Sequence, residues 1–112
     1  MKNIKNLTLI DDDEIFVYLT KKAILKTSLV GRIENFENGQ DAMEFLKDNQ
    51  DKPEKLPEVI LLDLNLPDMT GWNILDQTKE KFENVPKADR PRIIILTAYN
   101  DPANRLVGKL QD

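Results

Sequence analysis

The sequence predicts an α/β domain, a parallel sheet covered by helices on both faces. Three observations carry that expectation. Val59-Ile60-Leu61-Leu62 and Ile93-Ile94-Ile95-Leu96 are continuously apolar, the pattern of strands buried on both faces rather than strands with one wet side. Helical stretches, with apolar residues three and four apart, follow the short strand-like runs, so the two kinds of element alternate. Right-handed crossovers then bring the carboxyl ends of the strands to one edge, the edge at which open α/β sheets bind ligands.

The elements follow in order. Leu7 to Ile10 is a short β run, and Glu14 to Lys26 carries Ile15, Phe16, Leu19 and Ala23 as a helical stripe. Val30 to Phe36 mixes Arg32, Glu34 and Asn35 with its apolar residues, which suits an edge strand. Asn38-Gly39 turns the chain into a second helix with Ala42, Phe45 and Leu46 inward, and the charged, proline-bearing stretch from Asp48 to Pro57 is a solvated loop. The strand from Val59 ends at Asp63. Asn65, Pro67 and Gly71 punctuate the exit before a third helix, which sets Trp72, Leu75 and Phe82 along one side. Arg92 to Thr97 is a fourth strand, and Asp101-Pro102 starts a short final helix with Leu106, Val107 and Leu110.

Composition bounds the function. A chain of 112 residues gives one domain, 1–112, with 40% hydrophobic residues for a core and 32% charged residues for a surface. A net charge of −4 argues against nucleic acid or an anionic membrane as partner and favours a basic surface. Without cysteine there is neither a disulfide framework nor a thiolate metal site. No apolar run approaches a membrane span and none reads as a signal peptide, so the expected location is the cytoplasm.

The chemistry follows from the sheet edge. Asp11, Asp12 and Asp13 follow the first strand, Asp63 the third and Thr97 the fourth. If those strands are neighbours, four carboxylates and a hydroxyl converge. Such carboxylates cannot all stay ionised without a cation, and oxygen ligands in a chain with no histidine point to Mg²⁺ rather than zinc. Beside that metal Asp63 is a nucleophile able to form an aspartyl phosphate, with Thr97 as a hydrogen-bond donor to a phosphoryl oxygen. Taken singly these residues are ordinary: three acids before a helix form an N-cap cluster, and Asp13 keeps that role. Their joint placement is what points to a site.

Together, Leu9-Ile10-Asp11-Asp12-Asp13, Asn38-Gly39 with Ala42, Leu61-Leu62-Asp63-Leu64-Asn65-Leu66-Pro67 with Gly71, and Ile95-Leu96-Thr97-Ala98 resemble the receiver domain of two-component response regulators. The resemblance covers nearly the whole chain in order and spacing. It implies a flavodoxin-like doubly wound parallel sheet of strand order 2-1-3-4-5, and transfer of a phosphoryl group from a sensor histidine kinase or phosphotransfer protein to Asp63. It further implies that Asp11 and Asp12 are the acidic pair, with Asp12 a direct Mg²⁺ ligand and Asp11 acting partly through water. The backbone carbonyl of Asn65 is a further ligand. Thr97 is then the switch hydroxyl, Ala98 the small neighbour that leaves the phosphoryl site open, and Asn65 and Tyr99 the side chains that tune phosphoryl lifetime. The downstream partner is a protein target that the sequence does not name.

Two departures stand against the family pattern. Thr70 replaces the usual acid before Gly71, with little expected consequence. The fifth strand and helix are missing, and with them the phosphate-binding lysine, for which Lys109 is no substitute: no apolar run precedes it and no proline follows it. The sheet is therefore expected as 2-1-3-4, with Ile93 to Leu96 an open edge that reflects truncation, or that dimerisation or strand exchange covers. Three rival functions compete. A phosphatase of the haloacid dehalogenase type wants a second Asp where Asn65 stands. A calcium loop over Asp63, Asn65 and Asp68 lacks its glycine and closing Glu, at Asp68 and Ile74. The remaining alternative is a pseudo-receiver, a phosphorylation-independent interaction module.

Overall fold

The computed structural model describes residues 3–96 and 110–111. β1 (Ile4–Ile10) leads to α1 (Glu14–Lys26), β2 (Val30–Phe36), α2 (Gly39–Asp48), β3 (Val59–Asp63), α3 (Gly71–Lys81), β4 (Arg92–Leu96) and a two-residue β5 (Leu110–Gln111). The sheet order is β2-β1-β3-β4-β5, and the first four strands are parallel. This is the 2-1-3-4 flavodoxin-like sheet expected from the strand-helix alternation and the receiver resemblance, with polar β2 at an edge.

Local chemistry starts each helix where the sequence has a capping side chain. Asp13 Oδ1 accepts from the amides of Ile15 and Phe16, both at 3.1 Å, Asn38 accepts from Asp41 N at 2.8 Å, and Thr70 accepts from Asn73 N at 3.1 Å. Each cap satisfies amides that have no partner within their own helix.

The alternation along each strand divides the core. Ile10, Ile60, Leu62, Ile93 and Ile95 point toward α2 and α3, where they join Ala42, Met43, Leu46, Ile74 and Leu75. On the opposite face, Leu7 and Leu9 meet Val17 of α1, with Ile24, Val30, Ile33, Val59, Leu61 and Leu96 partly buried around them. The α2–α3 side is the more fully buried of the two among the described residues.

The helix faces differ from the periodicity reading in two places. In α1, Ile15, Phe16, Leu19 and Ala23 are exposed, Ile15 to 73%, while Val17 is buried and Ile24 partly so. Apolar residues surround this helix, and at roughly 100° per residue Val17 and Ile24 form a second stripe opposite the first; the sheet takes that one. In α3 the inward side is Gly71, Ile74, Leu75 and Thr78, continued by Phe82. Trp72 lies about a quarter turn off that line and is half exposed.

The outer edge of β4 also differs. Leu110, expected in a helix, pairs antiparallel with Ile94, and Gln111 with Ile93, so the chain's own backbone occupies part of the edge expected to be open. Unpaired strand amides and carbonyls favour such a partner however short it is. The expectations for Thr97, Ala98, Tyr99, Asp101, Pro102, Leu106, Val107 and Lys109 lie outside the described residues. No helix among the described residues is long and apolar enough to cross a membrane.

Among the described residues, one buried side-chain group is left without a partner: the Thr78 hydroxyl, inside α3. Replacing it with a methyl of the same shape removes an unmet hydrogen-bonding demand. Thr78→Val is expected to stabilise the fold by about 1 kcal/mol, read as a higher urea midpoint at unchanged slope.

Candidate functional site

β1 and β3 are adjacent and parallel, with Ile10 in register with Leu62. Their next residues, Asp11 and Asp63, therefore leave the sheet side by side. Asp12 follows in the turn toward α1, and one ligand oxygen from each of Asp11, Asp12 and Asp63 lies within 4.8 Å of the others. Asp11 and Asp63 are buried, at 6% and 7% exposed, and Asp12 is open to solvent. Asp13 does not join them, since its carboxylate caps α1. Three of the four acids anticipated at this edge thus converge.

Backbone amides hold the two buried carboxylates. Asp11 Oδ1 accepts from Asp13 N at 2.9 Å, and Asp63 Oδ1 from Asn65 N at 3.2 Å. The base of the loop after Asp63 is closed by Gly71 N donating to Leu64 O at 2.8 Å and by an antiparallel bridge between Asn65 and Thr70. Gly71 is needed there: a Cβ would come within 2.8 Å of both the Asp63 carbonyl oxygen and Leu64 Cα. The site opens onto a shallow groove of about 230 Å³ between α1 and β2, lined by Glu14, Tyr18, Lys21 and Asn35 as well as Asp11 and Asp12.

Two supporting residues gave no sequence signal as site residues. Asn35, which in sequence is one polar residue of an edge strand, donates through Nδ2 to Leu9 O at 2.9 Å, while Asp11 N donates to Phe36 O at 3.0 Å. Together they fix the end of β1. Asp68, which in sequence suggests only a defective calcium loop, accepts from the amides of Gly39 and Gln40 at 2.8 and 2.9 Å. Both partners are backbone groups brought close by the fold, which composition and spacing do not encode.

Burial is the main cause that pushes the Asp11 carboxyl up from its ordinary 3.8 to about 6; Asp63, Asp12 and Asp13 add repulsion, and the Asp13 amide opposes it. Asp63 is raised by burial and by Asp12, against the Asn65 amide. Crowded, buried carboxylates with oxygen donors alone fit a hard divalent cation. The cluster is a candidate metal centre.

The model of the response regulator receiver domain family matches residues 7–109. With this sheet and this acidic edge, the chain belongs to the response regulator receiver domain family, a signalling domain of two-component systems. It is 30% identical over 96 residues to the DNA-binding transcriptional regulator NtrC of Proteus hauseri, an alignment covering 86% of this chain and 17% of NtrC. The chain therefore spans less than a fifth of that relative. Among solved structures, a two-component response regulator from Cytophaga hutchinsonii superposes with a TM-score of 0.76 at 27% identity, over 94% of this chain and 77% of that one. The Mn²⁺-bound form of response regulator Rcp1 superposes with a TM-score of 0.66 at 28% identity, over 93% and 73%.

The raised Asp11 carboxyl has a sign-definite consequence for the metal-free protein. Between pH 3.8 and about 6 the folded chain keeps a proton that the unfolded chain has released. Stability therefore falls as pH rises through that window, by up to about 3 kcal/mol, and levels off above it. Melts in chelator from pH 4 to 7.5 should show this decline. Asp11→Asn should lessen it, leaving the share that the raised Asp63 contributes, and should melt higher than wild type at pH 7.

Proposed function

We propose that the chain accepts a phosphoryl group on Asp63 from a sensor histidine kinase or phosphotransfer protein and relays the change to a protein target. The observation that supports this most is the convergence of Asp11, Asp12 and Asp63 at one end of a receiver sheet. The Asp63 carboxylate attacks phosphorus in line with the donor's P–N bond; that bond breaks, and its electron pair returns to the imidazole nitrogen, which takes up a proton.

The three carboxylates and the backbone carbonyl of Asn65 are the groups that would hold Mg²⁺, in keeping with a chain free of histidine and cysteine. When bound, the ion supplies positive charge for the phosphoryl oxygens. Asp12, the exposed member, meets the incoming donor, while Asp11 and Asp63 are held by their amides. The Mn²⁺-bound form of Rcp1, a structural neighbour, is in keeping with a divalent ion as the partner of these acids.

Leu96, in register with Asp63, immediately precedes Thr97 in sequence. On that placement Thr97 is assigned the switch hydroxyl, Ala98 the small residue beside the phosphoryl group, and Asn65 and Tyr99 the tuning of its lifetime. Self-catalysed phosphotransfer and dephosphorylation are the only chemistry assigned to the chain.

The test is incubation with acetyl phosphate and Mg²⁺, followed by intact-mass measurement. Wild type should gain one phosphoryl group and Asp63→Asn none. Asp12→Asn should label more slowly by roughly tenfold or more, since tenfold corresponds to only about 1.4 kcal/mol. A wild type that gains no mass, and shows no beryllofluoride-dependent change in Trp72 fluorescence, would reject phospho-acceptance and leave the interaction module.

A further inference from the structure

The loop from Leu64 to Thr70 is closed at its base, but its tip has no strand partner of its own. Asp68, at that tip, is exposed, yet its two oxygens each accept from one amide of α2, Gly39 N at 2.8 Å and Gln40 N at 2.9 Å. These are the first two amides of the helix, unsatisfiable from within it, while the neighbouring cap Asn38 takes the third, that of Asp41. The Gly39 and Gln40 amides hold the Asp68 carboxyl below the usual range. Met69 reinforces the contact, packed so closely on Gly39 that a Cβ there would overlap its Cγ and Sδ.

The same end of α2 is tied back to the other side of the site. Phe36, three residues before Gly39, accepts the Asp11 amide, and Asn35 clamps Leu9. A closed ring of contacts results: Asp11 to Phe36, along the chain to Gly39, across to Asp68, and back through Asn65 to Asp63. Within this ring, Asp68 supplies the side-chain hydrogen bonds that join the acceptor loop to α2.

We propose that Asp68 is a positioning residue, a latch that holds the loop after Asp63 on the N-terminus of α2 and so fixes the Asn65 carbonyl and the Asp63 carboxylate for a divalent ion. The metal part rests on the function proposed above; the latch itself does not. Asp68 touches neither the ion nor the phosphoryl donor.

Two measurements test it on the full chain. In metal-free protein, amide hydrogen exchange across residues 64–70 should speed up in Asp68→Ala. Mg²⁺ titration followed by Trp72 fluorescence should show affinity weakened by about tenfold, the effect typical of lost outer-shell support. Asp68→Asn, whose amide oxygen still accepts one bond, should recover part of both losses. Asn38→Ala removes a comparable α2 cap bond without releasing the loop and should leave both readouts at wild-type values.

The latch is overturned if Asp68→Ala matches wild type in both measurements, or if Asn38→Ala reproduces its effects, which would trace them to helix stability. A wild type that takes up no Mg²⁺ overturns the metal reading and the metal part of the inference. The exchange comparison then decides the latch by itself.

Discussion

The parallel pairing of β1 with β3 is the constraint on which the rest of the site depends. Ile10 lies opposite Leu62, so the next residue of each strand is an aspartate leaving the sheet at the same height. Neighbouring strands run about 4.8 Å apart, close enough for the carboxylates at their ends to meet, and one oxygen from each of Asp11, Asp12 and Asp63 lies within 4.8 Å of the others. Backbone pairing of β1 with β3 thus brings Asp11 and Asp63 together, and Asp12 joins them from the turn that follows. A one-residue slip in register would separate them and turn the apolar residues of β3 to the wrong faces.

That geometry concentrates negative charge where the sheet also excludes water. Backbone amides donate to the buried carboxylates, Asp13 N to Asp11 and Asn65 N to Asp63, and they do not offset the burial. The groove beside the acids brings Lys21 near but not among them. The buried acids are therefore crowded without a compensating cation among the described side chains, the electrostatic arrangement that makes this cluster a candidate metal centre.

Much of this was legible in the sequence, for identifiable physical reasons. β3 and β4 stood out because a short, continuously apolar run between polar, proline-bearing stretches fits a strand covered on both faces and little else. The acids at the end of β3 and after β1 could be aligned once the strands were parallel. The inward face of α1 could not be chosen, because Val17 and Ile24 compete with Ile15 and Leu19 on the opposite side and only the packed sheet decides. Two-residue β5 has no periodicity to detect. Asn35 and Asp68 carry no such signal as supports, because their partners are backbone groups, which have no sequence identity at all.

The unequal packing of the sheet's two faces has a consequence for how the site moves. Asp63 ends β3, whose Ile60 and Leu62 pack into the α2–α3 core, whereas Asp12 precedes α1, a helix with one buried side chain, Val17, and a largely exposed apolar face. Regions with few buried contacts open locally at lower free energy than the core. The acidic cluster consequently straddles a firmly packed part of the fold that carries Asp63 and a softer one that carries Asp12, its most accessible member. A protein gripping α1 would act on the compliant half of the pocket while Asp63 stayed fixed.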